Sequence, residues 1–407
     1  VSTAARPISL SLVLACLAGT LALALVEKAP CASGDWSDGR QYERWCYSDI
    51  VPLLGTEQLT GSRLPYLDPC DPAAPGECDE YPVLSMWTMR LAAWASGADV
   101  ESFFYVNVAL LTVAALAVVI SVALLVGRRA LWVALGPTML LYAYVNWDLL
   151  AVAFATAGTL AYLRRRDVSA GILLGLGTAA KIYPALLVIP FVAGRFRSRE
   201  PERGTHLVWA AAATWLAVNA PFALLAPSGW SEFFRFNGRR PADWDSIWFI
   251  ACHRLTGTFS CGHVGLINVV SAALFVALVA IIWRWKATRE PGFPRWTLGF
   301  PVLVLFLLSN KVYSPQYGLW LLPWFALTLP DVRWFIAFEI ADVAVFVTRF
   351  SWFAEYTGTG GVPIGAFEIA VVVRAIVLIG CLASWLRRPE GAGASLEPLH
   401  LAAAQPA

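Results

Sequence analysis

Residues 170–190 read AGILLGLGTAAKIYPALLVIP. All of it suits the interior of a bilayer except Lys181, and Pro184 breaks the helix that the flanking apolar runs would otherwise form. Residues 309–323, SNKVYSPQYGLWLLP, repeat the arrangement with Lys311 and Pro315. Backbone interrupted at membrane depth is tolerated only where it is buried in protein or lines a watery cavity. The two broken hairpins, 168–194 and 296–329, therefore predict a cavity sunk below one membrane surface.

The surrounding chain agrees with that setting. Of 407 residues, 58% are hydrophobic and 14% charged, whereas soluble domains carry about 25% charged residues. Apolar runs fall at 8–26, 102–126, 130–145, 149–163, 168–181, 183–194, 207–225, 264–283, 296–308, 317–329, 334–348 and 362–386. They predict an all-α polytopic membrane protein of about 12 transmembrane helices, forming a single domain over 1–407. No A-x-A-like cleavage site closes the first run, so it is read as a span. The net charge of +2 excludes the basic balance of a nucleic-acid binder.

Charge by loop sets the orientation. Arg128, Arg129, Arg164, Arg165, Arg166, Arg195, Arg197, Arg387 and Arg388 fall on one set of loops and most acids on the other, which predicts a multi-pass plasma-membrane protein with both termini cytoplasmic. Two loops are extracytoplasmic on this reading, 27–101 and 227–262, and 389–407 forms a disordered cytoplasmic tail. Residues 81–94, YPVLSMWTMRLAAW, read as a helix in the interface plane, anchored by Trp87 and Trp94, that roofs the cavity.

Six of eight cysteines fall on the outer side. An even number in an oxidising compartment favours disulfides, Cys70 with Cys78 and Cys252 with Cys261 by proximity and Cys31 with Cys46 by remainder. A metal site is the rival reading, but the first four lack His and zinc-ligand spacing.

On the outer side Asp49 lies in the apolar run Trp45-Cys46-Tyr47-Ser48-Asp49-Ile50, either as a general base or as the cap of a helix beginning near Val51. Lys181 and Lys311 either snorkel to headgroups or share an anionic ligand, for which phosphate is the natural choice. Arg239 and Arg240 either join them or are solvated. Asn146 and Asp148 bind a sugar hydroxyl or cap a helix. Glu339, Asp342, Glu368 and Arg374, within the last two spans, are expected to pair with one another.

The two Lys-and-Pro stretches resemble the broken hairpin and the late SPQY-type segment of the GT-C membrane glycosyltransferases. The likeness is strongest to the actinobacterial polyprenyl-phosphate-mannose-dependent mannosyltransferases of glycosyltransferase family 87. Asp49 stands just after the first span, where that family keeps its catalytic acid, and DEYPVL at 79–84 resembles its Tyr-Pro element. The resemblance implies a GT-C-like fold and transfer of mannose from a polyprenyl-phosphate sugar to a glycolipid or polysaccharide acceptor. It implies Asp49 as base and Lys181, Lys311, Arg239 and Arg240 as phosphate ligands. Tyr183, Tyr313, Gln316, Tyr317, Asn146, Asp148, Glu80 and Tyr81 are then the substrate contacts. A monophosphate leaving group with several cationic partners calls for no metal and no other cofactor, and a monomer among membrane lipids suffices. A lipid-linked-sugar flippase or secondary transporter is the alternative, since broken helices with buried charge are also its signature; the long acidic first loop, without a counterpart in the second half, favours the enzyme. A scaffold that only binds a glycolipid is the third reading.

Overall fold

A computed structural model of the chain describes residues 9–73, 77–259, 262–329 and 331–388, so the expected tail at 389–407 lies outside the described residues. These residues form helices and no strands. In chain order the helices that build the site and its frame are α1 (Leu10–Lys28), α2 (Val83–Ala95), α3 (Val100–Val126), α4 (Asp148–Leu163), α5 (Asp167–Ala180), α6 (Ala185–Arg197), α7 (Pro201–Leu225), α8 (Glu232–Arg239), α9 (Ile247–Thr256), α10 (Val264–Arg289), α11 (Gly299–Ser309), α12 (Gly318–Thr328), α13 (Val332–Tyr356) and α14 (Ile364–Arg387).

Among the described residues five segments are long and apolar enough to cross a membrane: Leu10–Cys31, Val100–Leu135, Pro201–Leu225, Val264–Arg289 and Ile364–Arg387. In α7 and α10 only 11% of the most apolar stretch is buried inside the protein, so their aliphatic side chains face outward, where lipid would cover them. The chain is an all-helical membrane protein. Among the other helices, α13 has the length of a span but carries Arg333, Glu339, Asp342, Arg349 and Glu355.

Two expected runs take a different form. Run 130–145 is two short helices, Ala130–Leu135 and Pro137–Tyr142, because Pro137 has no N–H to donate and holds Gly136 extended at ψ 129°. A Cβ on Gly136 would lie 2.8 Å from the Trp132 carbonyl and 2.9 Å from Glu339 Oε1, so glycine is what lets α13 approach here. Run 334–348 extends to the whole of α13, which Asp331 caps by accepting the Arg333 N–H at 3.1 Å.

Both hairpins are broken. α5 ends at Ala180, and Lys181 is extended at φ −156° and ψ 141° before Pro184 and α6. Pro184 has no N–H to offer the Ala180 carbonyl, which instead accepts the Ser85 hydroxyl of α2 at 2.8 Å. The second break runs from Asn310, extended at ψ 145°, to Pro315 and α12. α5 packs between α4 and α7. Gly171 and Gly175 permit the close approach to α7: a Cβ on Gly175 would sit 2.6 Å from the Ala211 carbonyl.

The segment between α1 and α2 holds short helices and packs against the bundle. Disulfides join Cys31 to Cys46 and Cys70 to Cys78. Cys252 is disulfide-bonded as well, and its expected partner, Cys261, lies outside the described residues. Buried Glu57 accepts the Asp79 N–H at 2.6 Å, Arg63 pairs with Asp79 at 2.9 Å, and Arg90 of α2 donates to the Leu59 and Gly61 carbonyls, each at 2.8 Å. α2 itself buries Met86, Met89, Ala92 and Ala93 and leaves Leu91 and Trp94 exposed.

Candidate active site

A cavity of about 780 Å³ lies where the two broken hairpins, the segment between α1 and α2, α8 and α13 meet. Asp49 stands in its wall. It occupies the N-cap position of the helix Ile50–Thr56, yet its side chain makes no cap hydrogen bond. Oδ1 accepts the Tyr47 hydroxyl at 2.7 Å; Oδ2 accepts Asn146 Nδ2 at 2.7 Å and, more distantly, Gln316 Nε2 at 3.4 Å. The backbone is held too, since the Asp49 N–H donates to the Val145 carbonyl at 2.8 Å and the Ser48 hydroxyl to that of Tyr144 at 2.7 Å. Asn146 also donates to the Tyr81 hydroxyl at 2.7 Å. The carboxylate is thus oriented by side chains rather than spent on a helix end.

The cations come from the breaks. Lys181 Nζ donates to Asp148 Oδ2 at 3.0 Å and lies 4.9 Å from the centre of the Tyr317 ring. Asp148 is fully buried behind it, its other oxygen accepting Trp320 Nε1 at 2.7 Å. The Trp320 ring stacks on Tyr183 at 4.2 Å and on Tyr317 at 4.0 Å, fixing the floor. Lys311 Nζ donates to the Arg240 carbonyl at 2.6 Å and has no carboxylate at ion-pair distance among the described residues. Arg240 pairs with Asp243 at 3.2 Å, and Asp243 also accepts the Ser314 hydroxyl at 2.8 Å. Lys311 is therefore the cavity cation whose charge is left for a ligand.

Of the residues expected at the site, Asp49, Glu80, Tyr81, Asn146, Lys181, Tyr183, Arg240, Lys311, Gln316 and Tyr317 line the cavity. Three do not. Arg239 is half-exposed and paired with Glu77 at 2.6 Å and Glu232 at 2.5 Å. Asp148 stands behind Lys181. Tyr313 is buried with its ring 3.9 Å from the Arg374 guanidinium. The charges of the last helices also pair differently: Arg374 joins Asp342 at 3.0 Å, but Glu368 bonds His253 at 2.6 Å and Arg254, while Glu339 accepts from Thr138 at 2.8 Å.

Other lining residues escaped sequence reading. Phe233, Phe234, Phe236 and Asn237 come from the amphipathic α8, and Arg349 and Phe350 from α13. Arg349 lies seven positions beyond Asp342, on the same helix face, so extending that charged stripe by two turns would have found it. A second pocket of about 160 Å³, walled by Tyr66, Val83, Trp215 and Trp230, shares Pro82, Ile182, Phe233 and Phe234 with the cavity. Cys70, Cys78 and Asp79 lie close enough to surround an ion, but the disulfide removes the thiolates that a metal would need.

Burial raises the Glu80 carboxyl to about 7, with Glu77 and Asp49 adding to the effect and Arg240 and Arg239 opposing it. The cavity thus combines an oriented carboxylate, a titratable one and a cationic floor.

The model of glycosyltransferase family 87 matches residues 80–310, more than half of the chain. No curated protein matches it. Among solved structures it is similar to ArnT from Cupriavidus metallidurans in the apo state, at 12% identity and a TM-score of 0.45, over 92% of this chain and 76% of that one. It is also similar to the archaeal oligosaccharyltransferase AglB from Archaeoglobus fulgidus, solved with an inhibitory peptide and a dolichol-phosphate, at 13% identity and a TM-score of 0.38, over 93% of this chain and 56% of that one.

Proposed function

The chain belongs to glycosyltransferase family 87, and from that membership we propose that it transfers a sugar from a polyprenyl-phosphate donor to a hydroxyl of a glycolipid or cell-envelope glycan, inverting the anomeric centre. The sugar proposed is mannose, which rests on the family resemblance. The reaction takes place on the extracytoplasmic side of the plasma membrane. About 12 passes in a GT-C-like arrangement, with both termini cytoplasmic, go with this reading.

The observation that carries it is the oriented Asp49 in the same cavity as Lys311, a cation without a carboxylate partner among the described residues. Asp49 accepts the proton of the acceptor hydroxyl. The hydroxyl oxygen bonds to the anomeric carbon as the bond from that carbon to the phosphate oxygen breaks, and the electron pair leaves with the polyprenyl phosphate. Lys311, Arg240 and Lys181 hold that phosphate, and stabilising its developing charge favours the transition state over the bound donor. Lys311 supplies the uncompensated positive charge, while Lys181 and Arg240, each already paired with a carboxylate, donate hydrogen bonds, and the reaction as proposed uses no metal. Tyr81, Tyr183, Asn146, Gln316 and Tyr317 shape the sugar site, and the aromatic side pocket beyond Phe233 and Phe234 suits the first isoprene units of the donor.

The test incubates the purified protein with polyprenyl-phosphate mannose and membrane glycolipids. Wild type transfers sugar and Asp49→Asn loses about 100-fold or more of the rate, as loss of a general base does. Transfer that survives the substitution removes Asp49 as the base.

A further inference from the structure

Asp49 presents its two oxygens to different neighbours. Oδ2 faces Gln316 of the second hairpin break and Asn146, two positions before the Asp148 that pairs with Lys181, whereas Oδ1 faces Tyr47. Tyr47 belongs to an aromatic group: its ring lies 5.4 Å from Phe350 and 5.6 Å from Trp36, and Phe350 lies 6.3 Å from Tyr42. Arg349, adjacent to Phe350 in α13, lines the cavity at this place with its guanidinium 5.1 Å from the Phe353 ring centre.

Lys181 and Arg240 are each paired with one carboxylate, whereas Arg349 belongs to a larger charge network. It is ion-paired with fully buried Asp245, which is also 3.6 Å from Arg374, and Arg374 in turn pairs with Asp342 at 3.0 Å. Two guanidiniums and two carboxylates thus balance one another. Arg349 Nε nevertheless has no hydrogen-bond partner among the described residues. What this guanidinium lacks is an acceptor of hydrogen bonds, not a counter-charge. Neighbouring hydroxyls of a pyranose offer such acceptors to a planar fork of donors, and the ring's C–H face suits the partly exposed ring of Tyr47, which buried Phe350 backs.

We infer that Arg349 and Tyr47, with Phe350 packed against the Tyr47 ring, form the acceptor subsite, which takes a neutral sugar ring and delivers its hydroxyl to Asp49 from the Oδ1 side. The inference rests on the proposed transfer reaction, whose inversion requires acceptor and leaving phosphate on opposite faces of the anomeric carbon.

The test uses the full chain in nanodiscs, polyprenyl-phosphate mannose as donor and octyl mannoside as acceptor probe, with equilibrium binding of radiolabelled octyl mannoside as a second readout. Arg349→Gln raises the acceptor KM and the octyl mannoside Kd about tenfold, the loss expected for hydrogen bonds to a charged group, while the donor KM moves less than about twofold on the same scale. Phe350→Leu weakens acceptor binding in the same way without touching an ion pair, so it carries the test if Arg349→Gln, which strands Asp245, does not fold. Arg349→Lys, which keeps the charge but not the fork, behaves like Arg349→Gln. A rise in donor KM with an unchanged acceptor KM would place Arg349 in the phosphate clamp and overturn the inference. Wild-type transfer with acceptor binding unaffected by Phe350→Leu overturns the subsite and leaves the reaction standing. Octyl mannoside binding that depends on Arg349 and Phe350 without any transfer overturns the reaction and leaves a sugar site.

Discussion

Asp49 is held by Tyr47, Asn146 and Gln316, which stand 2, 97 and 267 positions away in the chain. Only the first is close enough for a sequence motif to contain it, so sequence alone leaves base and helix cap both open; in the structure the side chain makes no cap bond. Lys181 and Lys311 were legible for the opposite reason: a cation within an apolar run is an anomaly that the run itself exposes. Glu80 makes a pH prediction. With its carboxyl raised to about 7 by burial, it is neutral below that pH and adds a negative charge near Arg240 above it. The donor KM is therefore expected to rise between about pH 6 and 8, the interval around that midpoint, and Glu80→Gln to flatten the profile. A KM in wild type that falls over this interval would contradict the placement of the phosphate. The sign for folding is the same: the native value lies above the ordinary carboxyl value of 4.5, so the contribution to stability is full below that value and is lost as pH rises toward about 7.

At the scale of elements, the two hairpin breaks were readable from Lys and Pro, because a missing N–H has the same effect in any context. What covers the broken end was not. The Ser85 hydroxyl of α2 supplies the donor that Pro184 cannot, across 95 positions of sequence. Ser85→Ala should lower the melting midpoint by removing about 1 kcal/mol, more if the Ala180 carbonyl stays dry. Gly175→Val should act more strongly, since its Cβ would meet the Ala211 backbone at 2.6 Å, and overpacking of this kind costs about 1–3 kcal/mol. A melting curve for each variant in detergent checks both, and a Gly175→Val midpoint equal to wild type would mean that α5 and α7 do not pack this closely. The break within the run 130–145 was not legible, because hydropathy registers apolar content and not the interruption that Pro137 imposes at Gly136.

At the scale of the molecule, the proposed orientation puts Glu101 outside and Arg333 inside. Both are exposed, so single cysteines there report it: Glu101→Cys should react with an impermeant maleimide on intact cells and Arg333→Cys only after permeabilisation, the reverse pattern inverting the topology. The Cys31–Cys46 bridge closes a separation of 15 residues, worth about 3 kcal/mol in the chain-entropy account, and ends three positions before Asp49. A reductant should accordingly lower transfer, and activity indifferent to it would show that the loop holds Asp49 without the bridge. The sequence by itself determined that this is a helical membrane protein, where its helices break and that cations sit at the breaks, because hydropathy and the missing proline N–H act within a few turns of chain. Only the tertiary structure decided that Arg239 points away to Glu77, that Arg349 is neutralised by Asp245 and that Asp49 is clamped from three directions. Such pairings depend on how each helix is rotated and which neighbour it meets, and a run of apolar residues is equally apolar at every rotation.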